Sequence, residues 1–199
     1  MPEKIAFERE PAKRVFSEEF RAVQFSRKFS DDPKAPTFAI LPTGAVANRL
    51  LVVGVLTRKE KVEGKNNTTI YRAEINDNVG RFFAAATSYQ SEAMIELAKI
   101  TPPEIVAITG KANIRPVERP DGTKITYSGL RVEDIVVVDR STKDEWIIDT
   151  ANATMKRIQV MEAGTDPWFN EVKAMYGTDT KVYRALVKNA LDSLLQSTL

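Results

Sequence analysis

The sequence predicts a mainly β fold with α additions, a five-stranded Greek-key barrel, and three observations carry that expectation. Strand-like segments and one helix-like segment follow each other as β-β-β-α-β-β between residues 46 and 139. The first strand has Gly54 inside an apolar run, the mark of a bulge or a sharp coil. The helical segment falls between the third and fourth strands and is stopped by Thr101-Pro102-Pro103. This is the element order of the OB-fold.

Taken along the chain, residues 1–45 are charge-rich and interrupted by Pro11, Pro33, Pro36 and Pro42. Val23, Phe25, Arg27 and Phe29 alternate as a strand does, while Glu18-Glu19-Phe20-Arg21-Ala22 reads equally well as a helical turn. Phe16, Phe20, Phe25, Phe38, Ile40 and Leu41 are too many apolar groups for a free tail, so 1–45 is expected to be a docking arm. The barrel, 46–139, begins with a buried strand at 50–57, followed by a turn at Glu63-Gly64-Lys65-Asn66-Asn67. The strand 68–75 alternates, with Tyr71, Ala73 and Ile75 on one face and Arg72 and Glu74 on the other. Asn76-Asp77-Asn78-Val79-Gly80 reverses the chain into a hairpin partner at 81–87. Ser88 or Ser91 is then expected to cap a helix lined by Ala93, Met94, Leu97 and Ala98. Strands starting at 105 and 124 follow, joined by a polar loop at 117–123.

Beyond the barrel, Thr142-Lys143-Asp144-Glu145 reads as a capping box opening a helix within 140–163. Ile147, Ala151, Thr154, Ile158 and Met161 form its apolar stripe, widened by Ile148 and Met155, and such a stripe needs a partner surface. Residues 165–199 read as a helical hairpin started by Asp166-Pro167 and broken by Gly177, with Val182, Leu186, Ala190, Leu191 and Leu194 lining its second helix.

Composition narrows the chemistry. The chain has no Cys and no His, which excludes disulfides, thiolate nucleophiles, zinc held by those ligands and Ser-His-Asp triads. Its N-terminal ten residues lack an apolar core, so no secretory signal is expected there. No Gly-rich phosphate loop is present, since Gly64-Lys65 and Gly110-Lys111 lack the upstream glycine. Asp77, Asp121, Asp134 and Asp139 stand at turns or strand ends, where backbone hydrogen bonding explains them and a two-metal nuclease site does not follow. A binding protein rather than an enzyme is therefore expected, without cofactor or metal.

A formal net charge of +2 is too small to mark a duplex-coating protein, so the placement of the basic residues matters more than their number. If Phe82 faces the barrel interior, Phe83 faces outward beside Arg72 and Arg81. An exposed ring beside guanidinium groups offers a base a stacking surface and a phosphate a cation. The pattern also allows both rings to be buried, one in the barrel and one beneath the arm. Arg115, Arg119, Lys124 and Arg131 add positive charge around the last hairpin, where a solvated charged loop is the plainer reading. Tyr89 and Tyr127 are further stacking candidates.

Several segments together resemble the archaeal replication-protein-A-associated proteins, single-OB relatives of the middle subunit of replication protein A. They are Arg9-Glu10-Pro11-Ala12-Lys13-Arg14-Val15-Phe16, Ala35-Pro36 through Leu41-Pro42-Thr43-Gly44, and Ala47-Asn48-Arg49 leading into Val52-Val53-Gly54-Val55-Leu56-Thr57. Ile108-Thr109-Gly110-Lys111 and Ile135-Val136-Val137-Val138-Asp139 continue the likeness. The resemblance implies a subunit that coats single-stranded DNA with other replication protein A chains in replication, recombination and repair, in the cytoplasm at the nucleoid. It also implies that 140–163 is an assembly helix, and the stripe of Ile147, Ala151, Met155, Ile158 and Met161 is expected to be the interface through which the chain self-associates or captures another replication protein A subunit. The rival reading is an assembly subunit of that complex with little DNA affinity of its own.

Overall fold

The computed structural model describes residues 10–64 and 67–196 of the 199. Arg9 of the resemblance, Lys65 and Asn66 of the expected turn, and the ends of the arm and of the hairpin lie outside the described residues. Among the described residues the strands and α-helices follow in order: α1 (Ser17–Arg21), β1 (Phe25–Lys28), β2 (Thr37–Ile40), β3 (Val46–Ala47), β4 (Arg49–Glu63), β5 (Thr69–Asn76), β6 (Arg81–Thr87), α2 (Ser91–Lys99), β7 (Glu104–Glu118), β8 (Lys124–Val137), α3 (Arg140–Ala163), α4 (Pro167–Tyr176) and α5 (Thr180–Gln196).

β4 to β8 close into a barrel in the order β4-β5-β6-β8-β7. Every neighbouring pair is antiparallel except β6 and β8, which run parallel through Ala84↔Leu130 and Ala85↔Arg131. That closure, with α2 between the third and fourth barrel strands, is the OB-fold. β4 pairs with β5 and β7 at once, so it must bend sharply, and its glycine explains how. A Cβ on Gly54 would stand 2.4 Å from the carbonyl oxygen of Asn76, and the register slips between Leu56 and Arg58 just beyond. The strand has to approach its neighbour more closely than a side chain allows.

The alternation read from the sequence sorts the barrel faces correctly. Leu50, Val52, Leu56, Ala73, Ile75, Phe82, Ala84, Ala86, Val106, Ile108, Leu130 and Val132 are buried in one core. The strands run longer than expected: β4 continues to Glu63 and β7 to Glu118, because hairpins β4–β5 and β7–β8 project beyond the barrel as polar two-stranded arms.

Residues ahead of the barrel form both candidate elements, the helical turn α1 and then strand β1. β1, β2 and β3 make a small antiparallel sheet. The arm docks on its own chain. Lys13 bridges to the start of β4, its backbone N–H donating to Arg49 O at 2.9 Å. Phe20 packs beside Phe82 and Phe16 meets Trp146 of α3 edge-on, the ring centres 6.0 and 5.9 Å apart. Asp77, fully buried, accepts from the Ser17 backbone N–H at 2.7 Å and its hydroxyl at 2.8 Å, and from Gly80 N–H at 2.9 Å. Burial nevertheless pushes its carboxyl above the usual range.

Two expected caps move. Asp139, not Thr142, caps α3, its carboxylate accepting from the Thr142 N–H at 2.8 Å, which holds that carboxyl below the usual range. Thr87 caps a short 3-10 turn, Ser88–Gln90, and neither Ser88 nor Ser91 caps α2. Asp166-Pro167 and Gly177 behave as expected. Asp166 accepts from the Trp168 N–H, and Gly177 closes α4 in the left-handed region at φ 59°.

The apolar stripe of α3 requires the main correction. Ile147, Ala151, Thr154, Ile158 and Met161 are buried within this chain, and Met155 is half-buried against the same core. The hairpin α4–α5 folds back on the helix. Val187 and Ala190 of α5 join the barrel core, while Met161 meets Val172 of α4 and Ile40 of β2. The stripe is therefore not free for another subunit; the surface it needed is supplied by the arm and the terminal hairpin. A buried ion pair fastens this junction: Arg157 donates to both carboxylate oxygens of Glu19, at 2.9 and 3.1 Å, and Thr43 also donates to that carboxylate. No helix among the described residues is long and apolar enough to cross a membrane.

Candidate nucleic-acid interface

Outward-facing residues of β5, β6 and β8 line a groove of about 360 Å³, flanked by the two projecting hairpins. Its floor is small: Ala85 and Gly129 leave the backbone close to the surface. A Cβ on Gly129 would stand 3.3 Å from the Phe83 carbonyl oxygen. Small residues at these positions let a flat ligand approach the sheet, and Phe83 supplies the flat partner.

Phe82 and Phe83 resolve the ambiguity in the sequence. Phe82 is 0% exposed inside the barrel, and Phe83 is 42% exposed in the groove. Its outward direction follows from the pleat, since Phe83 pairs with Glu74 on β5, whose neighbours Ala73 and Ile75 point inward. The guanidinium of Arg21, at the end of α1, stands 6.0 Å from the Phe83 ring centre. That contact involves the arm, and strand alternation alone gives no sign of it.

Arg72 lines the groove on β5, opposite Ala85 of β6. Arg81 is exposed at the start of β6 and donates to Glu74 at 3.0 Å, so one carboxylate holds it beside the groove. Arg58 and Glu60, on the β4 extension, and Asn113 of β7 complete the lining. Sequence reasoning misses these three because the strands leave the core there. Alternation between apolar and polar positions fades where neither face is buried.

Arg115 and Tyr127 pair directly across the β7–β8 hairpin, and the guanidinium stands 6.0 Å from the ring centre. Tyr127 is exposed, so the pair presents a second ring with a cation beside it. Lys124 pairs with Glu118 at the base of the loop. Arg119 opens that loop, its backbone N–H donating to Thr123 O at 2.8 Å. Asp121 at the tip accepts from the Thr123 N–H, which holds its carboxyl below the usual range. It shapes the turn, as its type and position suggested.

Arg131 stands on the outer face of β8, beside Ala85 of β6 and opposite Lys111 of β7. Tyr89 does not join the groove. It is 89% exposed on the 3-10 turn, where it shares a separate depression with Gln90, Ser91, Glu92, Ala93 and Glu133. Of the sequence candidates, the structure thus brings Arg72 and Phe83 to one groove, with Arg81 held beside it by Glu74. It sets Arg115, Tyr127, Arg119 and Lys124 on one flanking hairpin, Arg131 at the groove's end, and Tyr89 elsewhere.

No protein-family model and no curated protein matches the chain. Among solved structures it is similar to the mitochondrial single-stranded DNA binding protein Rim1 of S. cerevisiae, at 18% identity and a TM-score of 0.38, over 46% of this chain and 94% of that one. It is also similar to the yeast Stn1 and Ten1 structure, at 10% identity and a TM-score of 0.41, over 56% of this chain and 55% of that one.

Proposed function

We propose that this OB-fold protein binds single-stranded DNA in the groove across β5, β6 and β8, without catalysing a reaction. The observation that carries the reading is Phe83, a large ring left 42% exposed over a floor of Ala85 and Gly129 with Arg72 beside it. A base stacking on that ring is sequence-tolerant, because every base has a π-face, and a duplex hides those faces. The groove itself has mixed charge, Arg58 and Arg72 against Glu60 and Glu74. Stacking therefore supplies the larger share of the affinity there, with phosphate contacts coming from Arg115, Arg131 and their neighbours.

A finer reading rests on the family resemblance of the sequence: the chain acts as one subunit of a replication protein A-type complex in replication, recombination and repair. The buried stripe on α3 means that such a partnership would use another surface than Ile147, Ala151, Ile158 and Met161.

The test is a titration of the chain with fluorescent single-stranded and duplex oligonucleotides at two salt concentrations. Preference for the single strand, weakening as salt rises, is the expected result. Equal affinity for both forms, or none for the single strand, would remove the groove reading.

A further inference from the structure

A second cleft, of about 350 Å³, begins where the groove ends. Asn113 lines both. The cleft is bounded by Lys34, Pro36, Thr37, Asn48, Lys111 and Arg131. Its charged lining is cationic only, unlike the mixed groove.

The cations stand in an arrangement that costs free energy without an anion. Arg49, Lys111 and Arg131 occupy one row across three adjacent strands, with Arg49↔Lys111 and Lys111↔Arg131 in direct register. Like charges directly opposite each other on a sheet repel. Glu133 neutralises Arg49, accepting from its guanidinium at 2.9 Å. Among the described residues, no carboxylate lies within ion-pair distance of Lys34, Lys111 or Arg131.

The arm brings the third cation, on a loop held by its own hydrogen bonds. Asp32 accepts from the Lys34 N–H at 2.8 Å, and Lys28 donates to Pro33 O at 3.0 Å, so the β1–β2 loop is shaped by its own side chains. Asn48 ties the walls together. Its side chain donates to Thr37 O at 2.8 Å, and its carbonyl accepts from the Ala112 N–H at 2.8 Å.

We infer that Lys34, Lys111 and Arg131 form a backbone-phosphate subsite that continues the path of a single strand out of the Phe83 groove, with one wall contributed by the N-terminal arm. Gly129 in the groove and Arg131 in the cleft are alternate residues of β8, about 7 Å apart along the strand. A strand leaving the groove past Asn113 meets the cleft with its next phosphates. This inference rests on the groove reading above, and the two fail differently.

The experiment titrates the full chain with oligothymidylates of about 4 and about 12 nucleotides, the range one such barrel covers, across a series of salt concentrations. Lys34→Gln/Lys111→Gln should leave the short oligonucleotide within about twofold of wild type. On the long one the slope of log affinity against log salt should fall by about 1.4, or about 0.7 for each phosphate no longer neutralised. Lys34→Gln alone, in an exposed loop, should lower it by about 0.7 and serves if the double variant fails to fold. Phe83→Ala should instead weaken both lengths with the slope unchanged. Unaltered slopes for the lysine variants, beside a wild type that binds single strands, would overturn the subsite alone. A wild type that binds neither oligonucleotide would overturn the groove reading and the subsite together.

Discussion

Exchanging the two neighbouring phenylalanines for alanine separates binding from folding. Phe82 is fully buried and packs beside Phe20, so Phe82→Ala leaves a cavity in the barrel and costs about 3–5 kcal/mol of stability. Phe83 is 42% exposed. Full burial of such a side chain stabilises by about 1.5–3 kcal/mol, so removing the partly covered ring costs about 1 kcal/mol, with a little more for the Arg21 contact. In a chain of this size the melting temperature should drop by about 10 °C or more for Phe82→Ala and by about 3 °C for Phe83→Ala. Binding should respond in the opposite order. Losing one stacked base costs about 1–3 kcal/mol, an affinity loss of roughly 5- to 150-fold for Phe83→Ala, read by fluorescence anisotropy with a single-stranded oligonucleotide. A folded Phe83→Ala protein with wild-type affinity would refute the stacking role, and a Phe83→Ala protein that unfolds would refute the assignment of faces.

Gly54→Ala should destabilise the barrel by about 1–3 kcal/mol, since the new Cβ meets the Asn76 carbonyl at 2.4 Å; chemical denaturation measures it. Asp77→Ala should cost about 2–3 kcal/mol, because it strands the buried donors of Ser17 and the half-buried one of Gly80 and loosens the arm. Removal of α4 and α5 by truncation after residue 164 should leave a protein that associates or precipitates in light scattering, because it uncovers the α3 stripe; a well-behaved monomer would contradict the packing. The Glu162 carboxyl, held down to about 2 chiefly by its hydrogen bonds with Arg184, should titrate there by NMR and return towards 4.5 in Arg184→Ala. Its folded value lies below its unfolded one, so its stabilising contribution is complete above about pH 4.5 and is lost as pH falls through about 2.

The barrel was legible because its signals are local. Alternation at Tyr71 to Ile75, the reversal at Asn76 to Gly80 and the glycine at 54 each reflect a backbone requirement that neighbouring residues reveal. Phe83 was half legible: the pleat settles its face once Phe82 is inside, yet only the position of the described part of the arm shows the ring 42% exposed beside Arg21. The stripe on α3 was legible as a face, but periodicity says that a face is apolar and not what covers it. α5 and Phe16 cover it from far away in the chain. Neither Lys34 nor Lys111 is marked as a ligand by its neighbours in the sequence. Their meaning comes from the register of three strands and from a loop of the arm, which are long-range facts.

Mapping amide chemical shifts while a single-stranded oligonucleotide is added tests the central claim most directly, because it reports where the strand lies. The account predicts the largest changes at Arg72, Phe83, Ala85, Asn113 and Gly129, extending to Lys111 and Arg131, with Tyr89 and the outer face of α5 unmoved. Changes centred on α4 and α5, or spread evenly over the exposed lysines and arginines, would contradict it.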